Sequence, residues 1–113
     1  KVRINQDKFR NGLIEKYRGK CCLCGMNHLS MLVASHIKPW AKSDKNEKLD
    51  IENGLLLCPN HDKLFDAGLI SFDLNGEIII SNQLSEHNQN IMNVHQTFKI
   101  NITDDHREYK ISS

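Results

Sequence analysis

Apolar residues recur at helical spacing early in the chain and in short runs after that. Phe9, Leu13, Ile14 and Tyr17 fall on one face, which predicts an amphipathic helix over Asn5 to Tyr17, stopped at Arg18-Gly19. Lys20 to Gly25 breaks the period and crowds three cysteines into a tight turn. Met31 to Ile37 reads as a short strand ended by Pro39. Lys42 to Asp50 is polar, without periodicity, and predicts an exposed loop. Asp50 and Asn53 are residues typical of caps and turns. Leu55-Leu56-Leu57 is an apolar strand, and Asn60 to Asp66 suits a short helix with Leu64 and Phe65 facing inward and Gly68 as its stop. Leu69 to Phe72 and Glu77 to Ile80 flank Asp73-Leu74-Asn75-Gly76, a strong hairpin signal. The polar tail allows a helix near Ser85 to Met92, a strand near Thr97 to Ile102 and a short helix near Asp104 to Tyr109.

A length of 113 residues suits one domain with a modest core that a bound metal would help to hold. The formal net charge is +1, so overall charge does not mark a nucleic-acid binder. The first twenty residues, however, set Lys1, Arg3, Lys8, Arg10, Lys16, Arg18 and Lys20 against only Asp7 and Glu15. That excess could meet phosphate, or it could be a solvated helix face. Cys21, Cys22 and Cys24 are too crowded for an ordinary disulfide framework, no signal peptide is present, and no apolar run approaches a membrane span. A reducing cytoplasm and a metal site fit better. The chain opens at Lys1 rather than Met, which points to a fragment of a longer protein.

The metal reading rests on spacing. Cys21-Cys22-Leu23-Cys24 and Cys58-Pro59-Asn60-His61 are two knuckles whose two-residue spacers let both side chains reach one ion. Together Cys21, Cys24, Cys58 and His61 supply the four sulfur and nitrogen ligands of a structural zinc, with Cys22 left over. Two other readings stand beside it. One is four buried thiols with His61 a surface residue. The other is a redox pair at Cys21 and Cys24, which lacks the strand–helix alternation of a thioredoxin-like fold.

Candidate chemistry lies between and beside the knuckles. Ser35-His36 sits at a strand end, and Asn53 precedes the second knuckle. Asp62 follows the last zinc position, and Asp66 comes one helical turn later on the same face. Two carboxylates so placed could hold a hard divalent cation such as Mg2+ or Mn2+. His36 could take a proton from water, with Asn53 fixing the ring through its carbonyl. Each residue also has a plain structural reading: a strand-end His, an Asn-Gly turn, a first-turn carboxylate favoured by the helix dipole, and a helix-end Asp.

On these residues the chain resembles the HNH endonuclease superfamily, most of all its zinc-containing, bacterial restriction-type branch. The resemblance is carried by Ala34-Ser35-His36-Ile37-Lys38-Pro39-Trp40 and by Glu52-Asn53-Gly54-Leu55-Leu56-Leu57-Cys58-Pro59-Asn60-His61-Asp62-Lys63-Leu64-Phe65-Asp66. It continues through Gly68 to Asp73 and, with the first knuckle, covers roughly residues 20 to 80. It implies an α+β fold: a ββα-metal (His-Me finger) core with a structural zinc knuckle pair, an N-terminal helix, and a C-terminal hairpin and helix. The expected division is helix at 1–19, knuckles and core at 20–67, hairpin at 68–81 and extension at 82–113. It also implies roles. His36 falls on the general base, Asn53 on the middle Asn, Asp62 on a catalytic-metal ligand that is usually His, and Asp66 on a further ligand of some members. Cys21, Cys24, Cys58 and His61 fall on the zinc positions, with His61 in place of a more usual Cys. Ser35 departs from the Asp or His that many members carry there, which leaves fewer groups on the ion. A shift of one residue would instead put His61 on the catalytic ion and leave zinc to the cysteines and His28.

The resemblance therefore implies a Mg2+- or Mn2+-dependent DNA endonuclease, bacterial and cytoplasmic, that leaves 3′-hydroxyl and 5′-phosphate ends. A zinc-stabilised binding module without catalysis is the alternative, kept open by Ser35 and the near-neutral charge. Sequence recognition is expected from elsewhere: the Lys42–Lys48 loop, the tail, dimerisation, or a domain preceding Lys1.

Overall fold

The computed structural model describes residues 2–37, 51–73 and 75–100. The loop expected at Lys42 to Asp50 and the helix expected at Asp104 to Tyr109 lie outside the described residues. The first helix, α1, spans Val2–Lys16. It begins ahead of Asn5 because nothing in Val2-Arg3-Ile4 breaks a helix. It closes where the Gly19 amide donates to the Ile14 carbonyl at 2.8 Å. Phe9 and Leu13 are its buried face.

The first strand is shorter than the apolar run suggests. Leu29–Met31 form a 3-10 turn, and β1 occupies only Val33–His36. The Arg10 guanidinium donates to the carbonyls of Leu29 and Leu32, which ties this turn to α1. A second 3-10 turn, Ile51–Asn53, leads into β2 at Gly54–Leu57. The strands pair antiparallel with Val33 opposite Leu57 and His36 opposite Gly54. Helix α2, Pro59–Asp66, follows at once, with a proline in its first turn and Leu64 buried.

Every residue of β2 is buried, so both faces of this two-stranded sheet are covered. A Cβ built on Gly54 would meet Phe9 and Leu13, which assigns Gly54 and, by alternation, Leu56 to the α1 face. Their partners His36 and Ala34 share that face. Leu55, Leu57, Val33 and Ser35 then face the other way, toward α2, which also contacts both strands. The main core gathers Phe9, Leu13, Leu32, Leu55, Leu56, Leu57 and Phe72.

The expected hairpin forms from β3, Ile70–Phe72, and β4, Ile78–Ile80, with Ile70 opposite Ile80. Asp73 Oδ1 accepts from the amides of Asn75 and Glu77 at 2.8 and 3.0 Å, which closes the turn with a side chain. Helix α3, Glu86–Ile91, starts at Ser85, whose hydroxyl accepts from the Asn88 amide at 3.2 Å. The strand expected at Thr97 to Ile102 reduces, among the described residues, to a bridge between Lys99 and Glu77. Leu64, Ile70, Leu84 and Val94 form a second small core that holds this tail.

Candidate metal centre and active site

The first knuckle turns back on itself. Gly25 takes a φ of 78°, its amide donates to the Cys21 carbonyl at 3.0 Å, and the Cys21 amide donates to the Met26 carbonyl at 2.8 Å. The Cys22 amide donates to the Leu56 carbonyl at 2.9 Å, which fastens this knuckle to the free edge of β2. The second knuckle begins where β2 ends, so Cys58 and the first turn of α2 arrive at the same place. The ligand atoms of Cys21, Cys24, Cys58 and His61 all lie within 4.8 Å of one another.

This cluster could hold a structural zinc. His61 Nδ1 is 3.3 Å from Cys58 Sγ and 3.8 Å from Cys21 Sγ. A tetrahedral zinc sets sulfur and nitrogen ligands about 3.5 Å apart. His61 Nε2 lies 3.0 Å from the Met92 carbonyl and 3.1 Å from the Asn93 carbonyl. The N–H therefore belongs on Nε2, where two acceptors wait, and Nδ1 faces the thiols as the ligand atom. His28 does not join them: it is exposed, with Nδ1 2.9 Å from Ser30 Oγ. A cavity of about 330 Å³, lined in part by Cys24, Cys58, His61, Met31 and Ile91, opens onto the cluster and gives an ion a way in.

Metal-free, the cluster shares its protons unevenly. Burial would push the Cys21 thiol up, but the His61 hydrogen bond and backbone amides hold it down at about 6. Burial likewise works against charge on His61, yet its bond to Cys21 raises the imidazole pKa. Burial pushes Cys24 up to about 12 and raises Cys58. Cys21 is thus the most readily ionised of the three thiols, and an entering zinc would displace the protons of the others. Burial raises the leftover Cys22 as well, in keeping with a half-buried thiol packed against the core.

The other candidates divide between two faces. Asp62 lies in the first turn of α2, half-buried, and the Ser35 hydroxyl of β1 donates to its carboxylate. Burial raises the Asp62 pKa and nearby Asp66 adds to this, while Ser35 and Lys63 act the other way. Asp66 is exposed at the end of α2. His36, last in β1, stacks on Phe9 with ring centroids 4.0 Å apart and planes 9° from parallel. Asn53 is fully buried, and its carbonyl accepts the Ile37 amide at 2.9 Å. The chain's last two β1 residues therefore serve both groups: Ser35 holds Asp62, and His36 is the neighbouring imidazole.

Residues 21–73 match the family model described as HNH endonuclease. The matched segment, just under half of the chain, is similar to that family. Among solved structures, the chain is similar to one described as a modification dependent TagI restriction endonuclease, with a TM-score of 0.53 and 18% sequence identity. That likeness covers 84% of this chain and 31% of the other, so the chain spans about a third of that protein, and the likeness shows the fold alone. No curated protein matches the chain. Among the described residues, no helix is long and apolar enough to cross a membrane.

Three contacts at this site escaped the sequence reading. The carbonyls that hold His61 are backbone groups some thirty positions away and leave no trace in residue type. The Ser35 bond to Asp62 was hidden because Ser35 stood where a ligand was sought. The Phe9 platform did have a signal: a glycine at the head of a strand marks a close approach.

Proposed function

We propose that this domain is a divalent-metal-dependent DNA endonuclease of restriction type, built on a ββα-metal core of β1, β2 and α2. The observation that carries the reading is the HNH match over 21–73, the segment that holds His36, Asn53, Asp62 and the zinc cluster. Asp62 and Asp66 are the proposed ligands of the ion. Their donor set fits a hard cation: two carboxylates close enough for Asp66 to raise the Asp62 pKa, one of them half-buried. When bound, such an ion stabilises charge developing on the scissile phosphate and its leaving oxygen.

The chain's own groups supply the rest. His36 is the proposed general base, taking a proton from the attacking water at an imidazole nitrogen. Asn53, buried at the entry to β2, accepts the Ile37 amide on its backbone carbonyl next to the proposed base. Ser35 orients the Asp62 carboxylate through its hydroxyl rather than acting as a ligand. Zinc at the cluster serves folding and takes no part in chemistry. Sequence preference comes from contacts outside this core, in the tail, a second copy or a further domain.

Supercoiled plasmid with Mg2+ or Mn2+ should be nicked by the wild-type protein, and EDTA should stop the reaction. His36→Ala should abolish cutting while keeping the fold and about one zinc per chain. Normal cutting by His36→Ala would end the assignment of the base. Retarded but intact plasmid across all the divalent ions would identify a zinc-stabilised binding module instead.

A further inference from the structure

The proposed base carries an aromatic partner from outside the HNH-matched segment. Phe9 belongs to α1, and its ring is 2% exposed. It stacks on the His36 imidazole at 4.0 Å between centroids, with the two ring planes 9° from parallel. Space for it exists because the residue opposite His36 is glycine. A Cβ on Gly54 would sit 2.5 Å from Phe9 Cζ and 2.9 Å from Phe9 Cε1. The Phe9 ring thus fills the position that a side chain at residue 54 would take. It also presents its face to the imidazole across the strand pair.

We infer that Phe9 is a positioning residue for His36: its ring fixes the plane in which the imidazole meets the attacking water. An imidazole ending a strand can turn about two side-chain torsions. A flat partner against one face removes most of that freedom and leaves the ring edge uncovered by the stack. Alignment of a reacting group is worth a great deal, since a misplacement of about 1 Å can cost about a hundredfold in rate. The role is mechanical, and Phe9 takes no part in the proton transfer. The inference rests on His36 being the base, so its test must separate the two.

Phe9→Leu keeps an apolar side chain in the core and removes the flat face. With zinc content and urea midpoint followed as controls, its kcat for plasmid nicking should fall about tenfold or more, with KM for DNA little changed. In the wild-type protein, the His36 ring protons, assigned by their loss in His36→Ala, should lie upfield of a free imidazole through the ring current of Phe9. They should return toward the free position in Phe9→Leu.

If His36→Ala cuts normally, the base reading fails and the inference goes with it. If His36→Ala is inactive while Phe9→Leu keeps wild-type kcat, the base stands and the platform is refuted. A kcat loss in Phe9→Leu with the His36 ring signals left at their wild-type positions would show a general effect on the core, and also refutes it. Should Phe9→Leu not fold, the wild-type spectrum decides: His36 ring signals at free-imidazole positions refute the stacking.

Discussion

His61→Cys separates two tasks that one ring performs. Nδ1 faces Cys58 and Cys21, whereas Nε2 donates to the carbonyls of Met92 and Asn93 at 3.0 and 3.1 Å. A cysteine keeps a zinc ligand and removes the donor. Those two contacts share one N–H, so they amount to a single forked bond. Such a bond is worth about 1 kcal/mol when neutral and about 1.5–3 kcal/mol when the donor is charged; a zinc-bound imidazole belongs near the upper figure. The tail would not detach entirely, because buried Leu84 and Val94 still anchor it, each by about 1.5–3 kcal/mol. The expected result is local loosening by about 2 kcal/mol, or roughly thirtyfold faster opening. Amide hydrogen exchange reads this directly. The Val94 amide, bonded to the Gln89 carbonyl at 2.8 Å, should exchange faster in the variant, while the paired amides of β3 and β4 should not change. Zinc should remain at about one per chain. Unchanged exchange at Val94 with zinc retained would refute the latch, and loss of zinc would refute the claim that a thiolate can replace Nδ1.

Gly54→Ala should lower the urea-unfolding free energy by about 1–3 kcal/mol, since its Cβ would lie 2.5 Å from Phe9 Cζ and 2.9 Å from Leu13 Cδ1 in a core without room to give; an unchanged midpoint would show that the core yields there. Asp62→Asn should abolish cleavage yet raise the melting temperature at neutral pH without divalent ions. Burial and Asp66 raise the Asp62 pKa, so the native state favours the protonated form. The stability this gives is full below the ordinary carboxylate value and is lost as pH rises through the raised native value. The gap in melting temperature between variant and wild type should therefore close as pH falls toward 3.8, and a gap independent of pH would refute the reasoning.

Much of this fold was legible because local signals agreed with the tertiary outcome. The spacing of Phe9 and Leu13, the run Leu55 to Leu57, the helix expected at Asn60 to Asp66 with its Gly68 stop and the helix expected near Ser85 to Met92 each act over one turn or one strand, and each element formed near its expected place. The four zinc positions were legible for the same reason, since two knuckles of fixed spacing need only be brought together. What failed depended on partners distant in sequence. The Met31 end of the first strand became a turn whose neighbouring carbonyls Arg10 takes from twenty residues away. The strand at Thr97 reduces, among the described residues, to one bridge at Glu77, flanked by bonds from the Ile78 amide to the Phe98 carbonyl and from the Ile100 amide to the Gly76 carbonyl. The stacking of Phe9 on His36 joins a helix to a strand that the chain pattern treats separately.

The two faces of β1 make register the quantity on which the proposed site depends. Ser35 points to Asp62 on the α2 side, and His36 points to Phe9 on the α1 side. A slip of one residue would exchange them, sending the proposed base toward the carboxylates and a hydroxyl toward Phe9. Both ends of the strand pair resist that slip. At the His36 end, only Gly54 leaves room for the Phe9 ring, and moving Leu55 into its place would drive an isobutyl group into Phe9 and Leu13. At the other end, Cys58 follows Leu57 directly, and the Cys22 amide holds the Leu56 carbonyl, so a slip would pull the two knuckles out of line. The cluster of Cys21, Cys24, Cys58 and His61 is thus more than a substitute for core. By fixing where β2 ends, it fixes which β1 residue faces which helix, and so sets on neighbouring residues of one strand the imidazole of His36 and the hydroxyl of Ser35 that holds the Asp62 carboxylate of α2.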